Sequence, residues 1–187
     1  MGGNIKKFLV FVWELAKIAI VAFIIVAPIR YFLFQPFIVS GASMAPNFAT
    51  GDYLIIDEIS YRFSGPQRGD VVVFNAGFIP KYEGQKFIKR IVGLPGETVE
   101  VKNGKVGIYR DGQELILDEK YLPKDLFTNN NSRVILGENQ YFVLGDNRPE
   151  SYDSRSWGIL FKNDIVGKAF IRIYPFNEIT TFPAVVY

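Results

Sequence analysis

Phe87-Ile-Lys-Arg-Ile-Val92, closed by Gly93 and Pro95, is a short β-rich run. Along a strand the side chains alternate with a period of two. Phe87, Lys89 and Ile91 therefore share one face, and Arg90 points to the other. Runs of the same kind recur on both sides. They are Tyr53-Leu-Ile-Ile-Asp57, Asp70-Val-Val-Val-Phe74, Glu97-Thr-Val-Glu-Val101, Gly107-Ile-Tyr-Arg110, Gln140-Tyr-Phe-Val-Leu144 and Val166 to Tyr174. Asn103-Gly104 and Asp111-Gly112 are hairpin signals between such runs. No amphipathic helix of any length competes after residue 35. Residues 34–187 are expected to form a mainly β domain, an antiparallel barrel or sandwich. Within it, 97–137 is a candidate for a small inserted β subdomain. The Asn-rich Thr128 to Ser132 reads as a loop without function.

Residues 1–33 differ in kind. From Phe8 to Ile29 only Glu14 and Lys17 are charged, and 22 helical residues reach roughly 33 Å against a hydrocarbon core of about 30 Å. Glu14 and Lys17 stand at i,i+3 and can pair, and Lys17 can snorkel. Lys6 and Lys7 precede the segment, and no charge follows Arg30 until Asp52. The positive-inside rule places residues 1–7 in the cytoplasm, a transmembrane anchor over 8–33 and the body outside. Pro28 and Arg30 are expected to end or kink the helix. A cleavable signal peptide and a buried core helix are the alternatives. The small-x-small cleavage pattern is poor, because Val26-Ala27 runs into Pro28.

Of 21 Lys/Arg and 19 Asp/Glu, four cations and one carboxylate lie in residues 1–33. The remaining 17 and 18 leave the body near neutral, which argues against a nucleic-acid partner. With 187 residues, the chain holds one domain or one plus a small appendage. It has no His and no Cys. A Ser-His-Asp triad, a Cys-His dyad, disulfides and Cys/His zinc sites are all excluded, and no metal or cofactor is expected.

A serine activated by a neutral lysine remains. Lysine titrates near 10.4 when free, so it needs desolvation to act as a base at neutral pH. Lys89 is the best candidate. Between Phe87 and Ile91 it is either exposed at a sheet edge, the commoner fate of lysine, or buried with a depressed pKa. A nearby Arg90 charge would deepen that depression. Ser43 is the best serine, in Pro36-Phe-Ile-Val-Ser-Gly-Ala-Ser-Met-Ala-Pro46. Its small neighbours leave room for a substrate carbonyl, although a strand-to-turn connection explains the same string. Gly145 to Gly158 packs three Ser, two Asp, two Arg and one Asn behind an apolar strand, which suits a hydrogen-bond network or a ligand-facing loop. Its acidic spacing lacks the order of a calcium loop.

Taken together, the anchor, Ser40-Gly-Ala-Ser-Met-Ala-Pro46, Gly51-Asp-Tyr-Leu54, Lys89-Arg-Ile-Val-Gly-Leu-Pro-Gly96, Gly145-Asp-Asn-Arg148 and Asp153-Ser-Arg-Ser-Trp-Gly158 resemble bacterial type I signal peptidases. These are membrane-anchored serine proteases that remove signal peptides from exported proteins. The resemblance implies that Ser43 is the nucleophile and Lys89 the general base. It implies that Ser151 orients the lysine, that Asp153 and Arg155 form a supporting salt bridge, and that Asp146 and Arg90 are structural supports. The Ser43 N–H should serve the oxyanion hole, with the second donor position at Gly41. Asn47 replaces a usual threonine, and Pro149-Glu150 a usual Asp-Asn. Phe37, Val39, Ser40, Met44, Phe87 and Ile88 fall on positions that bind the substrate in shallow apolar pockets, so Ala-x-Ala sites are expected. The implied partners are preproteins bearing signal peptides, the lipid bilayer and the secretion translocon. The implied location is the plasma membrane, in one pass with the N-terminus inside, or a thylakoid-type membrane. A self-cleaving regulator on the same β fold is a rival enzyme. A catalytically dead, membrane-tethered binding module is a rival of another class.

Overall fold

The computed structural model describes residues 2–32, 34–124, 126–183, 185 and 187 and, in the N-terminal helix, the side chains of residues 6–24. Helix α1 (Gly2–Phe32) is followed by β1 (Phe34–Ile38), β2 (Tyr53–Asp57), the single turn α2 (Ser60–Phe63), β3 (Val71–Asn75) and β4 (Lys86–Gly93). Next come β5 (Thr98–Lys102), β6 (Lys105–Arg110), β7 (Gln113–Ile116), β8 (Ser132–Ile135) and β9 (Gln140–Leu144). The single turn α3 (Ser154–Trp157), β10 (Leu160–Phe161), β11 (Ile165–Tyr174) and β12 (Thr180–Thr181) complete the chain. All seven runs expected as strands lie on β2, β3, β4, β5, β6, β9 and β11.

The strands form two sheets. The larger runs β1-β2-β11-β3-β4-β9-β10 with β12 beside β11, and the smaller runs β7-β6-β5-β8. Every pairing is antiparallel. No barrel closes. Closure would need β10 to continue the larger sheet round to β1, and β10 has only two residues. Of the expected antiparallel barrel or sandwich, the structure has the antiparallel sheets, two of them, and no closed barrel among the described residues.

Both faces of β3 are covered, which is why its sequence is apolar without alternation. Val71 and Val73 pack with Leu54, Ile56 and Ile88 on one face. Val72 and Phe74 pack with Ile91, Val143 and Leu160 on the other. A third cluster joins the sheets, with Val92, Phe142 and Leu144 against Val99, Val106, Ile108 and Leu136. Each such side chain contributes about 1.5–3 kcal/mol on burial. Gly93 sits at this junction, where a Cβ would lie 2.3 Å from Val99 Cγ2. Only glycine lets the two backbones approach there.

Asn103 and Gly104 have φ of 51° and 79°, and Asp111 and Gly112 have 52° and 78°. Both hairpin signals thus become two-residue turns with left-handed central positions. β7 escapes the pattern reading because all four of its residues are exposed. β8 begins at Ser132, inside the stretch expected to be a loop, and Thr128 is buried with a bridge to Gly104.

α1 continues past Pro28 to Phe32, so the proline does not end it. Lys17 Nζ donates to Glu14 Oε1 at 2.7 Å, and the pair is exposed. Among the described residues no helix is long and apolar enough to cross a membrane. The part of the expected anchor beyond residue 24 lies outside the described side chains.

Candidate active site

Ser43 sits in the loop that leaves β1. Val39 ties the base of that loop, its N–H donating to Asp52 O at 2.9 Å and its C=O accepting from Gly51 N–H at 2.9 Å. Met44 and Phe48 are fully buried and root the far side in the core. Asp52 Oδ2 accepts from Ala49 N–H and from Arg172 Nη1, at 3.0 and 2.7 Å. Arg172 Nη1 also donates to Asn47 O at 3.2 Å. Single-sequence reading assigned no role to Asp52, Arg172 or the Asn47 carbonyl, since their partners lie up to 125 residues away.

β4 brings Lys89 to the same place. It is an interior strand, paired with β3 over Lys86–Arg90 and with β9 from Arg90 onward. Lys89 is 4% exposed, so of its two readings the buried one holds. Its Nζ lies 2.7 Å from Ser43 Oγ and donates to Ile88 O at 3.0 Å. Burial lowers its pKa to about 8, against the opposing pull of the Asp153 and Asp146 carboxylates. Arg90 adds nothing to that depression, because its charge is neutralised. Its Nε and Nη2 bind Asp146 at 2.9 and 2.6 Å, and its guanidinium lies over the Tyr121 ring at 4.1 Å.

The loop after β9 closes the floor. Asn147 N–H donates to Ser43 O at 3.0 Å, and Asn147 Nδ2 to Ala42 O at 3.1 Å. Asp153 Oδ2 accepts from Gly145 N–H at 3.0 Å, and Asp153 is bound by Arg155 Nε and Nη2 at 2.8 and 2.7 Å. Arg148, wholly buried, donates to Gly145 O, to Thr128 Oγ1 and to the Glu119 carboxylate. Asn47 Nδ2 reaches Tyr121 O and Asp146 Oδ2 at 3.0 and 2.8 Å. Glu119, Tyr121, Thr128, Asn47 and Arg148 thus tie the site to the smaller sheet. No local spacing in the sequence announces this network.

Three of the expected roles meet a different geometry. Ser151 is half-buried beside the site, and its Oγ, shielded from solvent, has no hydrogen-bond partner among the described residues. The expected bond from Lys89 is not formed, since the ammonium donates to Ser43 and Ile88 instead. The Gly41 N–H, expected as the second oxyanion donor, is engaged within the loop. That N–H donates to Thr50 Oγ1 at 3.1 Å, and the Thr50 hydroxyl donates back to Gly41 O at 3.1 Å. The Ser43 N–H is left without a partner among the described residues. Finally, Val39 and Met44 are core residues, 1% and 0% exposed, and stand outside the lining of the pocket that holds Ser43 and Lys89.

Phe37, Ser40, Phe87 and Ile88 do line one. They share a cleft of about 390 Å³ with Ser43, Lys89, Lys86, Glu150 and Tyr152. A larger cavity of about 930 Å³ lies at the hairpin and loop of the smaller sheet and contains neither Ser43 nor Lys89. No cluster of metal-ligating side chains occurs among the described residues.

Gly145 is held to glycine by crowding. A Cβ there would stand 2.1 Å from Ser151 Oγ and 2.4 Å from Ser43 O. Gly145→Ala is expected to push the Ser43 loop outward and lower kcat by about 100-fold, the cost of a displacement on the order of 1 Å. Single-turnover kinetics beside a thermal melt would separate this from unfolding.

A family model described as "Signal peptidase, peptidase S26" matches residues 12–174. The chain is 39% identical over 169 residues to "Probable signal peptidase I-1" of Synechocystis sp., covering 88% of this chain and 84% of that one. It is 34% identical over 175 residues to "Signal peptidase IB" of Staphylococcus aureus, covering 84% and 87% respectively. A crystal structure of a signal peptidase I from Enterococcus faecalis aligns with a TM-score of 0.46 at 31% identity, covering 56% of this chain and 97% of that one.

Proposed function

The chain belongs to the signal peptidase family, peptidase S26, and from that membership we propose that Ser43 and Lys89 are the catalytic dyad with which it removes signal peptides from preproteins. The observation that carries the assignment is the 2.7 Å approach of Lys89 Nζ to Ser43 Oγ in a buried setting. When Nζ is neutral it accepts the Ser43 proton, and Oγ attacks the scissile carbonyl. The Ser43 N–H, free of other partners, stabilises the oxyanion. The protonated lysine then gives its proton to the leaving amine, which leaves an ester on Ser43. Once neutral again, Lys89 deprotonates a water that hydrolyses the ester and restores the serine.

The supporting residues divide by what they touch. Asp153 is held by Arg155 and Asp146 by Arg90, and the two carboxylates face Lys89 electrostatically. Ser151, with its buried free hydroxyl, is the group placed to meet the lysine or the deacylating water during turnover. Gly41 acts through its backbone shape, at φ 93° and clamped by Thr50, which presents the following residues to the substrate. The substrate lies extended between β1 and β4. β1 ends the larger sheet, and the Lys86–Lys89 half of β4 has no partner on its β9 side. Main-chain bonding to those edges supplies affinity, and the shallow surface formed with Phe37, Ser40, Phe87 and Ile88 favours Ala-x-Ala.

α1 is the anchor in this reading, with residues 1–7 inside and the β body outside. The bilayer, and beyond it the translocon, are its surroundings in a plasma or thylakoid-type membrane. The test is covalent. A β-lactam-type or lipopeptide acylating inhibitor should add one acyl group, found by mass spectrometry on the peptide carrying Ser43. Modification elsewhere, or cleavage without any labelling of Ser43, would overturn the dyad. Cleavage of the protein by itself, without substrate, would favour the self-cleaving regulator instead.

A further inference from the structure

One end of the cleft carries a side-chain bridge that the dyad does not use. Lys86 Nζ donates to Gln35 Oε1 at 2.9 Å, so a side chain of β4 is joined to one of β1 across 51 residues of sequence. These are the two strands that wall the cleft, which Lys86 itself lines and where it remains exposed. Lys86 is three residues from Lys89 along β4, about 10 Å at roughly 3.3 Å per residue. Gln35 is the second residue of β1, so the bridge marks the end of the cleft at which α1 enters the domain. Glu58 is the carboxylate whose titration feels Lys86, and it feels Arg62 as well.

We propose that Lys86 reads the charge of the substrate residue fourth before the scissile bond, favouring an acidic or neutral side chain over a basic one. This rests on the peptidase reading above and adds a specificity determinant to it. An extended substrate whose scissile carbonyl lies at Ser43 covers about 10 Å with the three residues before it. Its upstream part runs toward the bilayer, and α1 enters at the Gln35 end, so the fourth residue meets the Lys86–Gln35 bridge. A carboxylate there replaces Gln35 as the partner of the ammonium. A lysine or arginine there meets a like charge and must also leave the bridge intact.

The test uses the full chain in detergent and peptides with an Ala-x-Ala site that differ only at the fourth residue before cleavage: Glu, Gln or Lys. The native protein should prefer Glu to Lys by about fivefold in kcat/KM, the scale of an exposed ion pair. The preference should shrink in high salt, disappear in Lys86→Gln and invert in Lys86→Glu. Equal cleavage of the three peptides by the native protein overturns the inference and leaves the peptidase reading standing. So does a preference that survives Lys86→Gln. Failure to cleave any of the three overturns both.

Discussion

Ser43→Ala is expected to reduce kcat on an Ala-x-Ala peptide by a factor on the order of 10⁵–10⁶, and Lys89→Met by nearly as much. Residues that act as one unit lose most of their catalysis when either is removed. Both variants should fold, because Ser43 is on a loop and Met fills much of the volume of a lysine stem. The native protein adds a quantitative signature. At a pKa of about 8 Lys89 is neutral in about a tenth of molecules at pH 7. A free lysine would be neutral in only about four in ten thousand. The rate should therefore rise about tenfold per pH unit and level off near pH 8. A limb that levels off near the free-lysine value would contradict burial as the source of activation.

The same burial predicts a trade between activity and stability. A lysine whose pKa is depressed on folding binds fewer protons folded than unfolded, so stability rises with pH between about 8 and 10.4. Below about pH 8 the full cost is present, roughly 3 kcal/mol for a shift of this size. Lys89→Met should consequently be more stable than the native protein at pH 7, by up to that amount. The gain should fade by pH 10, as urea titrations at the two pH values would show.

How much of this was legible in the sequence depended on the range of the interaction. Strand β4 and both two-residue turns are local events, fixed by alternation and by Asn-Gly and Asp-Gly. They could be placed without knowing where anything else lay. The alternation could not say whether Lys89 is buried. That depends on β3 pairing beside it, and on the Ser43 loop 46 residues away covering it. The ladder of Asn47, Tyr121, Glu119, Thr128 and Arg148 was illegible for the same reason. Its members come from connecting segments far apart in the chain, and none carries a spacing that marks it. The donor role of Gly41 is an expectation from position alone, and no local pattern marks the competitor for its N–H. Thr50, nine residues on, already occupies its N–H. That the larger sheet stays open is a global property, which no local pattern announces.

Asp146→Ala is expected to destabilise the protein by about 3–5 kcal/mol, the cost of stranding a buried charge. Asp146 is fully buried and accepts from Arg90 Nε, Arg90 Nη2 and Asn47 Nδ2. Without it, Arg90 keeps only Gly69 O at 2.9 Å and the face of Tyr121. Replacing both partners with apolar residues, as in Arg90→Met with Asp146→Leu, should cost less than the single change, because no charge is then left alone. Asp146→Asn keeps the shape and separates stability from electrostatics. The Asp146 carboxylate pulls the Lys89 pKa upward, so its removal must lower it further. The acid limb of the rate should then move below that of the native protein, and the uncompensated Arg90 cation pushes in the same direction. Two independent charges thus demand one sign. A limb displaced to higher pH would mean that Lys89 does not feel Asp146 as its burial and position require, and that another group sets the rate.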